Sequence, residues 1–183
     1  MPITPVELRG ERVRLLPMQA EHTPDLVVAG RSRDIWPYMP LRGDSAADME
    51  RLVQEALAAK ATGQELPFVI VDQTTDRIVG STRLYYISEP DRYLEIGWTW
   101  HTPEVWRTRI NTESKYLLLT HAFEALSAIR VQLKTDARNL RSQRAIERLG
   151  ATREGCCAGT GSRTMATGAT RSTTVSSTKS GRR

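Results

Sequence analysis

Between Leu94 and Phe123 the apolar pattern changes period across a short polar run, and that change limits what the chain can fold into. Leu94-Glu95-Ile96-Gly97-Trp98-Thr99-Trp100 alternates large apolar residues with others, as a half-buried strand does. The run Arg107-Thr108-Arg109-Ile110-Asn111 follows, and Thr112 to Leu126 then reads as a helix with Leu118, Leu119, Ala122, Phe123 and Leu126 on one stripe. A strand, a basic loop and a helix start together suit a phosphate, because first-turn N–H groups lack intrahelical acceptors and the helix dipole favours negative charge. Arg107, Thr108, Arg109, Ile110, Asn111 and Thr112 are therefore candidate anion-binding residues. A plain strand-to-helix turn with solvated arginines fits the same letters, and this stretch alone leaves both open.

The rest of the chain supplies a sheet for that strand to join. Glu11–Leu16 is a short strand, and Glu21–Ala29 a helix with Pro24 in its first turn. Asp34 to Pro40 is a rigid connector containing Trp36 and Tyr38. Ser45 opens a second helix with capping-box spacing, Met49, Leu52, Val53, Ala56 and Leu57 form its apolar face, and Gly63 ends it. From Pro67 the period becomes alternating. Phe68–Val71, Ile78–Ile87 and Leu94–Trp100, joined by short turns, predict an antiparallel meander. Arg130–Ala137 is a further strand that can lie parallel to Leu94–Trp100 across the helix. Gly97 is a plausible bulge position.

At 183 residues the chain has room for one full core. No apolar run approaches a membrane span, and the N-terminal stretch lacks a signal-peptide core, so a cytoplasmic protein is expected. Adjacent Cys156 and Cys157 fit neither a disulfide framework nor a metal site, the three histidines have no partner pattern, and no metal is expected. The net charge of +5 is carried by Arg163, Arg171, Lys179, Arg182 and Arg183, because no acidic residue follows Glu154. Such a tail can attract polyanions weakly, but without interleaved aromatic residues no specific nucleic-acid surface is expected.

Two stretches, EIGW with its loop and NTESKYLLLTHAFE, and KTDARNLRSQRAIERLGA, together resemble the GNAT superfamily of N-acetyltransferases, nearest its RimJ/RimL-like ribosomal-protein branch. The resemblance covers roughly residues 8 to 155. It implies an α/β (α+β) acyl-CoA N-acyltransferase fold, a central mixed, mostly antiparallel sheet flanked by helices. It also implies acetyl transfer from acetyl-CoA to a primary amine: a protein N-terminus, an amino acid or a small amine. Glycine is common in the family's loop where Arg109 stands here. Carried over by position, the Arg107–Thr112 turn takes the pyrophosphate, backbone N–H groups near Trp98 and Thr99 polarise the thioester, and Asn139 touches the cofactor arm. Ser142 is the implied acid for the departing thiolate, although Asn139 as N-cap with Ser142 as its partner explains the pair structurally. Glu95 is the candidate base, against the alternative of an ion-paired strand carboxylate, and Trp36 and Tyr38 are candidates for the acceptor entrance. The branch's proposed base beyond residue 155 has no carboxylate to correspond to it. A non-catalytic CoA-binding or protein-interaction module is therefore the competing reading, and a homodimer is a further arrangement the family allows.

The resemblance ends just after Gly150-Ala151-Thr152-Arg153-Glu154-Gly155. Met165 and Val175 are the only large aliphatic residues after it, and no aromatic residue appears. Strands bury a face with β-branched or aromatic residues, so residues 1–155 are read as the domain and 156–183 as a disordered tail. The family's final strands are expected to be missing or degraded, as after a reading-frame slip in the coding sequence.

Overall fold

A computed structural model describes residues 4–159 and 162–170, with side chains through 155. Among the described residues one sheet has eight strands in the order β1-β2-β3-β4-β5-β6-β8-β7. These are β1 (Leu8–Arg9), β2 (Val13–Pro17), β3 (Leu66–Asp72), β4 (Arg77–Ser88), β5 (Tyr93–His101), β6 (Arg130–Asp136), β7 (Thr152–Gly159) and β8 (Ser162–Thr170). Only β5 and β6 run parallel. Helices α1 (Thr23–Gly30) and α2 (Ala46–Ala61) cover one face, and α3 (Ile110–Thr120) and α4 (Leu140–Glu147) the other.

Local chemistry sets these boundaries. The Ser45 hydroxyl accepts from the Asp48 N–H at 3.1 Å and caps α2, and Gly63 beyond its end adopts φ 72°. α3 continues into a single π turn over His121–Ala125, so the expected helix to Leu126 is present with its last turn widened. β3 is buried along its whole length, which explains why Phe68-Val69-Ile70-Val71 is a continuous apolar run. Phe68 and Ile70 pack towards α3, while Val69 and Val71 pack towards α1 and α2. Each fully buried side chain of this size contributes about 1.5–3 kcal/mol.

The expectation that the final strands are missing is corrected. The backbone of β8 pairs with β6 from Arg130↔Thr170 to Asp136↔Thr164, and β7 pairs with β8. Ladder hydrogen bonds need only main-chain groups, and an open β6 edge is a template for them. The composition of the two strands stays poor, with Met165 the only large aliphatic residue between 156 and 170. Residues 171–183 of the expected tail lie outside the described residues.

Candidate active site

The strand expected to organise the chain does so by ceasing to alternate. If Leu94–Trp100 kept a period of two, Leu94, Ile96, Trp98 and Trp100 would share one face. Instead Leu94 and Ile96 pack under α3, whereas Trp98 and Trp100 pack under α1 and α2. The cause is a bulge. Ser81 faces Trp100 and Arg83 faces Gly97, so β5 carries one residue more than β4 between those rungs. Trp98, rather than Gly97, takes the left-handed conformation, with φ 52°. Gly97 is required for another reason: a Cβ there would lie 2.7 Å from the Tyr85 hydroxyl.

The same point is where β5 and β6 part. Their parallel ladder runs from Tyr93↔Arg130 to Ile96↔Leu133 and stops. Beyond it the Gly97–His101 backbone has no β6 partner, leaving main-chain donors and acceptors for an extended ligand.

This gap leads to the turn before α3. An open cavity of about 840 Å³ is lined there by Arg107, Thr108, Arg109 and Thr112 from the expected set, and by Arg12, Glu113, Tyr116 and Arg148. Ile110 is fully buried in the core, and Asn111 is not among the lining residues. Positive φ falls on Arg107 (62°), whereas Arg109, at the position where glycine was anticipated, is helical at φ −70°. Glu113 Oε1 accepts from the Arg12 and Val13 N–H groups at 2.9 and 3.3 Å, tying the first turn of α3 to β2. That tie brings Arg12 to the cavity. Arg12 and Arg148 come from distant stretches and carry no local signal, while Tyr116, one turn after Thr112, could have been found by helical spacing.

Residues present fit a CoA-like ligand on two counts, an unpaired strand backbone and a basic cavity at a helix start continuous with it in the chain.

α4 meets the loop that follows β5. The Arg141 guanidinium stacks on Trp106 at 3.7 Å, and burial holds its pKa below the usual arginine value. Asn139 Oδ1 accepts the Ser142 N–H at 3.0 Å, which establishes the N-cap. Ser142 and Asn139 are both half-buried.

On the α1/α2 face Glu95 is fully buried. The Tyr85 hydroxyl donates to Glu95 Oε1, and Lys134 Nζ lies 2.7 Å from Oε2. Burial, then the hydrogen bond to Glu95 and its charge, push the Tyr85 pKa up. Lys134 is the first β6 residue beyond the last β5 rung, so this group spans three strands where the gap opens. Trp36 is buried, donates from Nε1 to the Gly30 carbonyl at 2.9 Å and packs on Trp100 at 5.2 Å. With Met18, Met39, Met49 and Trp98 it lines a void of about 10 Å³, room for one water at most. Tyr38 lies outside it, 42% exposed, with Arg138 above its ring at 6.0 Å. Arg83, which sequence reading missed, sits over Trp98 at 4.6 Å and pairs with Glu65 at 3.0 Å. No cluster among the described residues could hold a metal ion.

Residues 12–152 match the acetyltransferase (GNAT) domain family. No curated protein matches significantly. Among solved structures, a candidate acetyltransferase from T. thermophilus is 27% identical, with a TM-score of 0.82 over 93% of this chain and 92% of that one. A GCN5-related N-acetyltransferase from Brucella melitensis is 23% identical, with a TM-score of 0.83 over 92% and 80%. Mycobacterium smegmatis RimJ in complex with CoA-disulfide is 19% identical, with a TM-score of 0.76 over 92% and 88%. The last two speak to the fold alone.

Proposed function

The chain belongs to the GNAT acetyltransferases, and from that premise we propose that it moves acetyl from acetyl-CoA to a primary amine where β5 and β6 part. One observation carries the placement: the ladder ends at Ile96↔Leu133, beside a bulge, on the way to the basic cavity at α3. Acetyl-CoA supplies the activated thioester. The cavity arginines take its pyrophosphate, with Thr108 and Thr112 as hydroxyl donors. The Gly97–Thr99 backbone, past the last β6 rung, holds the pantetheine arm and polarises the acetyl carbonyl.

Glu95 is the proposed base, acting through Tyr85. The Tyr85 hydroxyl accepts a proton from the amine as it passes its own to the Glu95 carboxylate, which Lys134 keeps oriented. As the amide C–N bond forms and the C–S bond breaks, Ser142 relays a proton from solvent to the thiolate. The proton taken up at Glu95 is released to solvent, so that both groups return to their starting states. Asn139 caps α4 and sets the Ser142 position. The acceptor enters from the α1/α2 face past Tyr38, with Trp36 behind it.

The motif likeness to the RimJ/RimL-like branch favours an α-amino group at a protein N-terminus. No helix among the described residues is long and apolar enough to cross a membrane, in keeping with a cytoplasmic enzyme. A homodimer is tested by mass in solution.

The experiment is calorimetry with acetyl-CoA, followed by product detection by mass over peptides, amino acids and small amines. Binding with product supports the whole proposal. The ion-paired state of Glu95 favours the second reading, a CoA-binding module, which binding without any product would establish. Tyr85→Phe and Glu95→Gln should lower kcat with acetyl-CoA affinity unchanged, and equal turnover in all three proteins would remove Glu95 from the chemistry.

A further inference from the structure

α3 aims a charged side chain at the underside of the bulge. Lys115 is 6% exposed, and its Nζ lies 2.5 Å from Thr99 Oγ1 on β5. Thr99 Oγ1 is 2.8 Å from Thr82 Oγ1 on β4, itself fully buried. Both hydroxyls approach the Gly97 carbonyl, at 3.4 and 3.5 Å. Gly97 is the first residue past the last β5–β6 rung, so this hydroxyl pair meets β5 just where its pairing with β6 ends. No carboxylate among the described residues pairs with Lys115. His101, on the same side of β5, is buried with its Nε2 unpartnered, and an imidazole has no negative charge to offer an ammonium.

An amine in such a place is expensive. Leucine or methionine would fill the slot between α3 and the sheet without desolvating an ammonium. What the lysine provides that they cannot is a hydrogen-bonded grip on Thr99. We propose that Lys115 is a positioning residue for acetyl transfer: through Thr99 it fixes the Gly97–Thr99 bulge against which the acetyl carbonyl rests. This rests on the acetyl-CoA site argued above. The bulge amides do the polarising, and Lys115 acts through Thr99 rather than on the substrate.

The carbonyl stretch of bound acetyl-CoA reads that polarisation without an acceptor. With carbonyl-labelled acetyl-CoA and the intact chain, infrared difference spectra should show the band at lower frequency when bound than when free. Thr99→Val keeps the side-chain shape and removes the hydroxyl, and Lys115→Met removes the amine that holds it. Each should return the band part of the way to its free position while the calorimetric dissociation constant stays within about threefold. Thr99→Ser, which restores the hydroxyl, should recover most of the shift. With a working acceptor, kcat should fall about tenfold in both variants, the worth of one hydrogen bond of about 1.4 kcal/mol. If Lys115→Met fails to fold, Thr99→Val and Thr99→Ser decide. A wild-type chain that binds acetyl-CoA, with a band Thr99→Val does not move, overturns the role of Lys115 and leaves the site standing. A wild-type chain that binds no acetyl-CoA overturns the site and this proposal with it.

Discussion

Lys115 makes the stability of this fold depend on alkaline pH in a direction that can be worked out. Burial holds its amine at about 7 in the folded chain, against 10.5 in an exposed lysine. Desolvation penalises the charged form, and the single hydrogen bond to Thr99 does not offset it. Because the folded value is depressed, the unfolded chain binds the proton more tightly between the two values. The contribution is therefore fully present above 10.5, shrinks as pH falls, and is lost once pH passes below about 7. Each pH unit in that interval is worth about 1.4 kcal/mol, so the whole span amounts to about 5 kcal/mol. That is comparable to the entire stability of many small domains.

The assay is urea unfolding of the parent and Lys115→Met from pH 6 to 10.5, read as the difference between them. Other groups that titrate at the alkaline end are common to both and cancel. His101, the titratable neighbour on β5, is held near 3 by burial and by the charges of Lys115 and Arg141, and stays neutral throughout. The parent should gain on the variant by about 1 kcal/mol per pH unit above pH 7. Below pH 7 the methionine variant should be the more stable, since it loses one hydrogen bond but no longer buries a cation. A difference that stays flat within about 1 kcal/mol from pH 7 to 10 would mean that water reaches the amine, and the desolvation argument would fail.

Arg109→Glu places a like charge beside the expected pyrophosphate and should weaken acetyl-CoA binding about tenfold at low salt, with the gap to the parent closing as salt rises. Unchanged affinity would move the phosphates elsewhere. Ser142→Ala should lower kcat on the order of 10²-fold or more while leaving the acetyl-CoA dissociation constant alone, and equal kcat values would reduce Ser142 to the partner of the Asn139 cap. The DNA encoding the chain after Gly155, read in a different frame, should encode two amphipathic strands, and if neither other frame does, the low apolar content of β7 and β8 belongs to the protein by design.

Much of the fold was legible because it rests on local periodicity. The Phe68–Val71 run, the Ser45 cap and the stripe on α3 each correspond to an observed element, and the parallel pairing of β5 with β6 follows from the helix between them. The final strands were not legible, because the reading looked for side chains to bury. β6 instead offers an edge of main-chain groups, which the backbone of residues 162–170 satisfies.

The candidate site was half legible, and the division falls between neighbours in sequence and neighbours in space. Arg107, Thr108, Arg109 and Thr112 sit on one turn, so their grouping could be read from the chain. Arg12 and Arg148 reach the same cavity through the packing of β2 and α4, and no pattern along the chain joins them. The bulge is the sharper case. Alternation across Leu94, Ile96, Trp98 and Trp100 is a good strand signal and a wrong guide to faces, since one extra residue at Trp98 inverts everything after it. That inversion turns two tryptophans towards the acceptor side. It also turns Thr99 and His101 towards α3, where a lysine that helical periodicity counts as an ordinary polar position becomes the most costly buried charge beside the site.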